Sequence, residues 1–322
     1  MSKLRLSVLD QSPIKAGGNP ADAINETLEL ARHCDHLGYH RYWLAEHHGS
    51  TALAGSSPEV LTARVAGLTK RIRVGAGGIL LNHYAPKKVA ETFRTLEALF
   101  PGRIDLGLGR APGGNAGGNG GVDPAHYPKK VQELLEYLKD ENRQDGKQVQ
   151  PQGSNHPQVW LLGSSAQSAQ HAAQLGLPFS YAHFINADGS GAALEVYRRH
   201  FCPSTDHPHA RGGIGVFVIC AETQEEAEFL ALSHAAMMVH QRTGVPGPVP
   251  APEVVRKARF TPPQQKMFDY FRRRAIVGTP DAVRHRLTQL AEAHKVDEVV
   301  VVTITYDHLA RMRSYDLLAQ EF

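Results

Sequence analysis

Residues 86–110 read PKKVAETFRTLEALFPGRIDLGLGR, and this stretch holds one complete structural unit. Pro86 suits the first turn of a helix, where the backbone N–H has no intrahelical partner. Val89, Phe93, Leu96 and Phe100 recur at helical spacing and predict one buried face. Pro101-Gly102 ends that helix. Residues 104–109 then form an apolar strand, and Arg110 follows at its C-terminal end.

The same alternation runs through the rest of the chain. Strand-sized apolar runs lie at 4–9, 41–45, 72–81, 104–109, 159–162, 178–182, 214–221 and 299–304. Helical patterns separate them; the first is capped by Asn19-Pro20, carries Ile24, Leu28, Ala31 and Cys34, and closes at Gly38. Eight such runs with helices between them predict an all-parallel sheet. Eight units in 322 residues favour a closed (β/α)8 TIM barrel over its rival, a doubly wound open sheet. Two irregular stretches break the rhythm, 202–213 and 243–263. The second is rich in Pro and Gly and reads as an insertion over the C-terminal mouth. No internal repeat or linker composition divides the chain, so 1–322 is predicted to be a single barrel domain.

Composition narrows the function classes. Hydrophobic residues at 42% and charged residues at 21% fit a chain with a large core and exclude a disordered one. The net charge is only +3, with no long Lys/Arg block, which argues against nucleic acid and anionic membrane as partners. The apolar runs are far shorter than a membrane span, and the N-terminus lacks a signal-peptide core. Cys34, Cys202 and Cys220 are far apart and form no CxxC pair, so a reducing cytoplasm fits better than a disulfide scaffold.

In a parallel barrel the site is assembled just beyond the C-terminal ends of the strands. Those positions hold Asp10 and Gln11, then Glu46, His47 and His48, then Arg110, Ser164 with Ser165, and His183; Gly77-Gly78 lies within the third strand. Arg110 runs into a glycine-rich turn, where its guanidinium fork suits a phosphate; a surface ion pair is the plainer reading. Ser164, Ser165 and Ser168 open a helix whose free N–H groups suit an anion, although serine also caps helices in general. Together with Arg110 they point to a phosphate held between strands four and five. Gly77-Gly78 interrupts a Val/Ile/Leu strand, which fits a bulge or the close approach of a flat ligand.

His47 and His48 are adjacent, so only one of them faces the site while the chain stays extended. A neutral imidazole passes protons near physiological pH. Their spacing is not the HExxH pattern and no third ligand is identifiable, so no metal is assigned. His207 and His209 read as solvated loop histidines. Residues 113–121 match a nucleotide-binding loop in composition but not in spacing, and read as a mobile lid or disordered tip.

Taken together and in order, several segments resemble the bacterial-luciferase-like flavin-dependent monooxygenase family over essentially the whole chain. They are Trp43-Leu44-Ala45-Glu46-His47-His48, Val74-Gly75-Ala76-Gly77-Gly78-Ile79-Leu80-Leu81, Gly102-Arg103-Ile104-Asp105-Leu106-Gly107-Leu108-Gly109-Arg110, Gly163-Ser164-Ser165-Ala166-Gln167-Ser168 and Val277-Gly278-Thr279-Pro280. The opening Leu9-Asp10-Gln11-Ser12-Pro13 resembles the small single-chain bacterial branch. The resemblance implies a (β/α)8 barrel that binds FMN in its reduced form. It implies that Arg110, Ser165 and Ser168, beside Ser164, hold the phosphate. Gly77-Gly78 would be a non-prolyl cis peptide against the flavin ring, and His47 the histidine near the reactive flavin edge. Asp10 and Gln11 would lie around the ring.

The expected reaction is oxygenation of a small organic substrate by O2 and reduced FMN, the latter delivered by a separate NAD(P)H flavin reductase. Hydride transfer with a deazaflavin, and non-catalytic flavin storage, are the alternatives; a metal-dependent barrel hydrolase would need several ligands at strand ends. The family resemblance further implies a homodimer through helices near strands two and three. Residues facing the flavin are expected to come largely from 202–213 and 243–263.

Overall fold

The computed structural model describes residues 4–110, 126–139, 148–153 and 155–322. Eight parallel strands close a barrel: β1 (Arg5–Asp10), β2 (Arg41–Leu44), β3 (Arg73–Leu80), β4 (Ile104–Gly109), β5 (Gln158–Gly163), β6 (Phe179–Ala182), β7 (Gly212–Cys220) and, after a short β8 (Ile276–Gly278), β9 (Glu298–Val302). Each pairs with the next, and β9 pairs with both β7 and β1, which closes the ring. The open-sheet alternative is thereby excluded. Residues 113–121, read as a lid, lie outside the described residues.

Helices follow the strands around the outside: α1 (Pro20–Leu37), α2 (Pro58–Leu68), α3 (Pro86–Leu99), α4 (Tyr127–Leu138), α5 (Ala166–Gln174), α6 (Ser190–Arg199), α7 (Gln224–Arg242), α8 (Pro252–Lys257), α9 (Pro262–Arg274), α10 (Pro280–His294) and α11 (His308–Ala319). Six of the first nine carry Pro in the first turn, where it costs no hydrogen bond. Val8, Tyr42, Leu44, Val74, Leu106 and Val216 point outward into the layer shared with the helices. Their strand neighbours point inward, as the two-residue period requires.

The inward set explains the shape of the interior. At the lower end Arg41 is fully buried between Asp105 and Glu298, and Arg73 bonds Asp105 at 2.6 Å. Ser7 donates to Glu298 at 2.6 Å, and Trp43 Nε1–H donates to Asp105 at 3.0 Å. Buried charges persist only when paired and hydrogen-bonded. Above this network Trp43 meets Trp160 edge to face, centroids 5.4 Å apart, and Arg41 lies 4.7 Å from the Trp160 ring. This network and the two indoles fill the lower end of the barrel.

Two differences from the sequence reading concern the irregular stretches. Residues 243–251 do cross the mouth: Val249 exchanges backbone hydrogen bonds with Ile14 and Ala16, and Thr51 donates to the Pro246 carbonyl. Beyond them the chain forms α8 and α9, which pack on α7 through Val255, Phe268 and Phe271. The short β8 then extends the sheet beside the upper half of β7. Residues 202–211 precede β7 and 212–213 begin it, so the stretch lies at the opposite end of the barrel from the mouth. Arg211 there reaches toward Glu298 and the Trp160 ring from below. The expectation that this segment faces a flavin is therefore wrong; a loop that feeds a strand's N-terminus cannot reach the C-terminal face.

Candidate functional site

The strand ends surround one cavity of about 460 Å3 at the mouth, lined by Gln11, Glu46, His47, Gly77, Gly78, Arg110, Ser164, Ser165 and Ser168 among others. Small-molecule sites occupy roughly 300–1,000 Å3. Every site residue singled out from the sequence, apart from Asp10, His48 and His183, is in that lining. Its apolar wall comes from Leu9, Trp43, Leu80, Leu162, Phe184 and Val300.

One wall is bare backbone. The Gly77-Gly78 peptide is cis. A Cβ at Gly77 would sit 2.7 Å from the Trp43 Cβ, and one at Gly78 would sit 2.6 Å from the Gly107 carbonyl oxygen. Both positions therefore exclude any side chain, and the β3–β4 register shifts between Gly77 and Ile79. Both sequence readings, a bulge and a close approach, meet here. The result is a flat main-chain surface exposed to the cavity.

The polar end lies between β4 and β5. Ser165 caps α5: its side chain accepts from the Ser168 N–H at 3.2 Å, and Ser168 reciprocates toward the Ser165 N–H. Arg110 leans over the same turn and donates to Gln167 Oε1 at 3.0 Å. The capping reading is thus realised, and the guanidinium, two hydroxyls and a helix N-terminus also meet at one place. Such a set favours an anion. Tyr181 OH and Asn186 Nδ2 hold the Ser164 carbonyl at 3.0 and 3.2 Å, which ties this turn to the end of β6.

At the other end stand the residues after β2. Burial holds His47 down to a pKa of about 4, so its ring is neutral at pH 7; its Nδ1 has no partner. The backbone N–H of His47 donates to the Gly55 carbonyl at 2.7 Å, which fixes the turn. Glu46, fully buried, accepts from the Leu80 N–H at 2.8 Å, from Tyr84 OH at 2.7 Å and from His48 Nε2 at 2.6 Å. It pins the end of β2 to the segment that follows the glycine pair. His48 is turned away onto Glu46 and the His83 ring. Only one of the adjacent histidines faces the cavity, as strand geometry demands.

Three candidates fall elsewhere. Asp10 is outside the barrel wall, where it accepts from Arg311 at 2.7 Å, from the Ser12 N–H at 2.8 Å and from Tyr42 OH. Burial alone would raise its carboxyl; the Arg311 charge and these bonds bring it below the usual carboxylate range. Of the pair after β1, only Gln11 meets the cavity. His183 is held against Ser190 at 3.2 Å and the His294 ring instead. His207 lies at the lower end of the barrel with the rest of its loop. Among the described residues no group of three or more His, Cys, Asp and Glu is placed to hold a metal ion. Trp43, Ser180 and Phe184 line the cavity without having been singled out; period-two counting within each strand would have found the first two.

A family model described as luciferase-like monooxygenase matches residues 4–295. The chain belongs to the luciferase-like monooxygenase family. It is 45% identical to the protein YwcH of Bacillus subtilis (strain 168), covering 98% of each chain. It is 35% identical to the N-acetyl-S-alkylcysteine monooxygenase of the same organism, covering 98% of this chain and 97% of that one. Among solved structures, apo-MsnO8 superposes with a TM-score of 0.93 at 39% identity, covering 99% of this chain and 98% of that one. The superposition with apo-MsnO8 thus takes in nearly the whole chain, not the barrel strands alone.

Proposed function

We propose that this member of the family is an FMN-dependent monooxygenase that oxygenates a small organic substrate with O2. The observation that carries the reading is convergence: an anion cradle, a side-chain-free wall and a buried neutral histidine all open into one apolar-walled cavity. These residues fit FMN. Arg110, Ser165 and Ser168, with Ser164, would hold the phosphate through charge-assisted and neutral hydrogen bonds. The Gly77-Gly78 backbone leaves room for a flat ring that any Cβ would exclude.

When bound, reduced FMN supplies the electrons that activate O2; the protein supplies position and exclusion of water. His47 Nδ1, buried and without a partner, is set to hold or move one proton at the ligand. Glu46 keeps the His47 turn and the glycine wall in register. Leu9, Trp43, Leu162 and Phe184 shield the space from water. The relative that acts on N-acetyl-S-alkylcysteines supports oxygenation as the reaction. The chain is read as one barrel domain throughout, cytoplasmic, and supplied by a separate NAD(P)H flavin reductase. No helix among the described residues is long and apolar enough to cross a membrane. Val60 on α2 and Leu99 on α3, 63% and 62% exposed, support a homodimer through those helices.

The test is equilibrium dialysis of FMN against the wild type and Arg110→Ala. A lost charge-assisted contact of about 1.5–3 kcal/mol weakens binding by roughly 10–150-fold. Riboflavin, without the phosphate, is expected to bind both proteins alike. Unchanged FMN affinity would remove Arg110 from the cradle. Oxygen consumption with reduced FMN, compared with a reduced deazaflavin, separates oxygenation from hydride transfer.

A further inference from the structure

The net charge of +3 is unevenly placed. Residues 252–274 hold seven Lys and Arg against Glu253 and Asp269, a local net of +5. Arg256, Lys257, Arg259, Lys266 and Arg273 are exposed. Arg272 pairs with Glu228 at 3.5 Å, but Arg259, Lys266 and Arg273 have no ion-pair partner among the described residues.

This cationic face adjoins the rim of the cavity. Arg274, at the end of α9, donates to the His183 carbonyl at 2.7 Å and to the Ile185 carbonyl at 3.4 Å, with its guanidinium 5.1 Å from the Tyr270 ring centroid. Ile185 lines the cavity, and its neighbour Asn186 bonds the Ser164 carbonyl that opens the anion cradle. Lys266, Tyr270 and Arg274 recur every four residues and share one face of α9. Lys266 stands about 12 Å along the helix from Arg274. Carboxylates meet this face mainly on its α7 side, where Glu225, Glu226 and Glu228 stand with Arg256 and Arg272; Glu253 lies on α8, Asp269 is engaged by Gln265, and Asp188 lies beside the β6 loop.

We propose that the α8–α9 face is an electrostatic entry track that draws the flavin phosphate from solvent along the rim to Arg110 and the serines. This rests on the FMN reading of the cavity. The track fits a small, doubly charged anion that arrives by diffusion, because exposed cations act on encounter rates far more than on the bound state. Steering of this kind raises association rates by about 10–1,000-fold and fades as salt screens it.

Stopped-flow flavin emission with oxidised FMN and with riboflavin tests it, using the wild type, Lys266→Glu/Arg273→Glu and the neutral control Lys266→Gln/Arg273→Gln. At low salt the charge-reversed protein is expected to bind FMN at least about 5-fold more slowly, with the neutral control in between. Dissociation rates and riboflavin binding should not change, and the difference should vanish near 1 M salt, where the Debye length is about 3 Å. Equal FMN association rates in all three proteins, or an equal loss for riboflavin, would overturn the track while leaving the FMN site intact. Failure of the wild type to bind FMN at all would overturn the site reading and the track with it.

Discussion

Replacing His234 by Leu should stabilise the protein, and should do so more at acid pH. His234 sits in the middle of α7, 2% exposed, its ring 4.0 Å from that of Phe217, and neither ring nitrogen has a partner. Burial lowers its pKa to about 4, against 6.5 for a free imidazole. The folded form therefore stays neutral through a range in which the unfolded chain takes up a proton. Stability is lost as pH falls from 6.5 toward 4. At pH 5 the gap is 1.5 units below 6.5, which at 1.36 kcal/mol per unit is about 2 kcal/mol. At pH 7.5 this effect is absent, but an unsatisfied buried polar group still costs about 1–3 kcal/mol. His234→Leu should thus gain about 1–3 kcal/mol at pH 7.5 and about 2 kcal/mol more at pH 5. Urea unfolding at both pH values, with slopes compared to check the denatured state, measures the difference. A gain that is the same at pH 5 and pH 7.5 would refute the assignment of a buried, neutral His234.

Other perturbations act on the buried charges and on the cavity wall. Arg311→Met strands the buried Asp10 carboxylate and should cost about 3–5 kcal/mol; a loss below about 1 kcal/mol in the same urea assay would mean that Asp10 is not charged in the fold. Because the Asp10 carboxyl lies below its ordinary value of 3.8, its contribution holds above that pH and is lost as pH falls further. Gly78→Ala forces a methyl against the Gly107 carbonyl, so a destabilisation of about 1–3 kcal/mol is expected together with loss of FMN binding. A variant that binds FMN normally would show that the wall is not where the ring lies. Glu46→Gln keeps the shape but halves its acceptors, and FMN titration should show weaker binding with the fold preserved by circular dichroism; unchanged binding would make Glu46 purely structural.

The barrel was legible because its signal is redundant. Each strand is an apolar run, and Pro or Asn-Pro marks many of the helix starts. Position along a strand then located Gln11, His47, Arg110 and the serines without any contact information. The same rule over-reached at Asp10 and His183, since a strand end also offers residues to the outer layer, where Arg311 and Ser190 wait. β8 was hidden because three residues carry no periodicity, and α8 and α9 because their prolines resemble those of a loop. The charged floor was hidden as well. Arg41, Asp105 and Glu298 are far apart in sequence, and only closure of the barrel brings them together. The loop at 202–213 was misplaced for want of one topological step: it enters a strand rather than leaving it.

The paired indoles beneath the cavity have a practical consequence. Trp43 and Trp160 are the only tryptophans in the chain, both are buried, and Trp43 forms part of the cavity lining. Emission excited at the red edge of the ultraviolet band, where the tyrosines do not absorb, therefore originates at the base of one chamber. Its lifetime should report events in that chamber, with no label attached and no background from elsewhere in the fold.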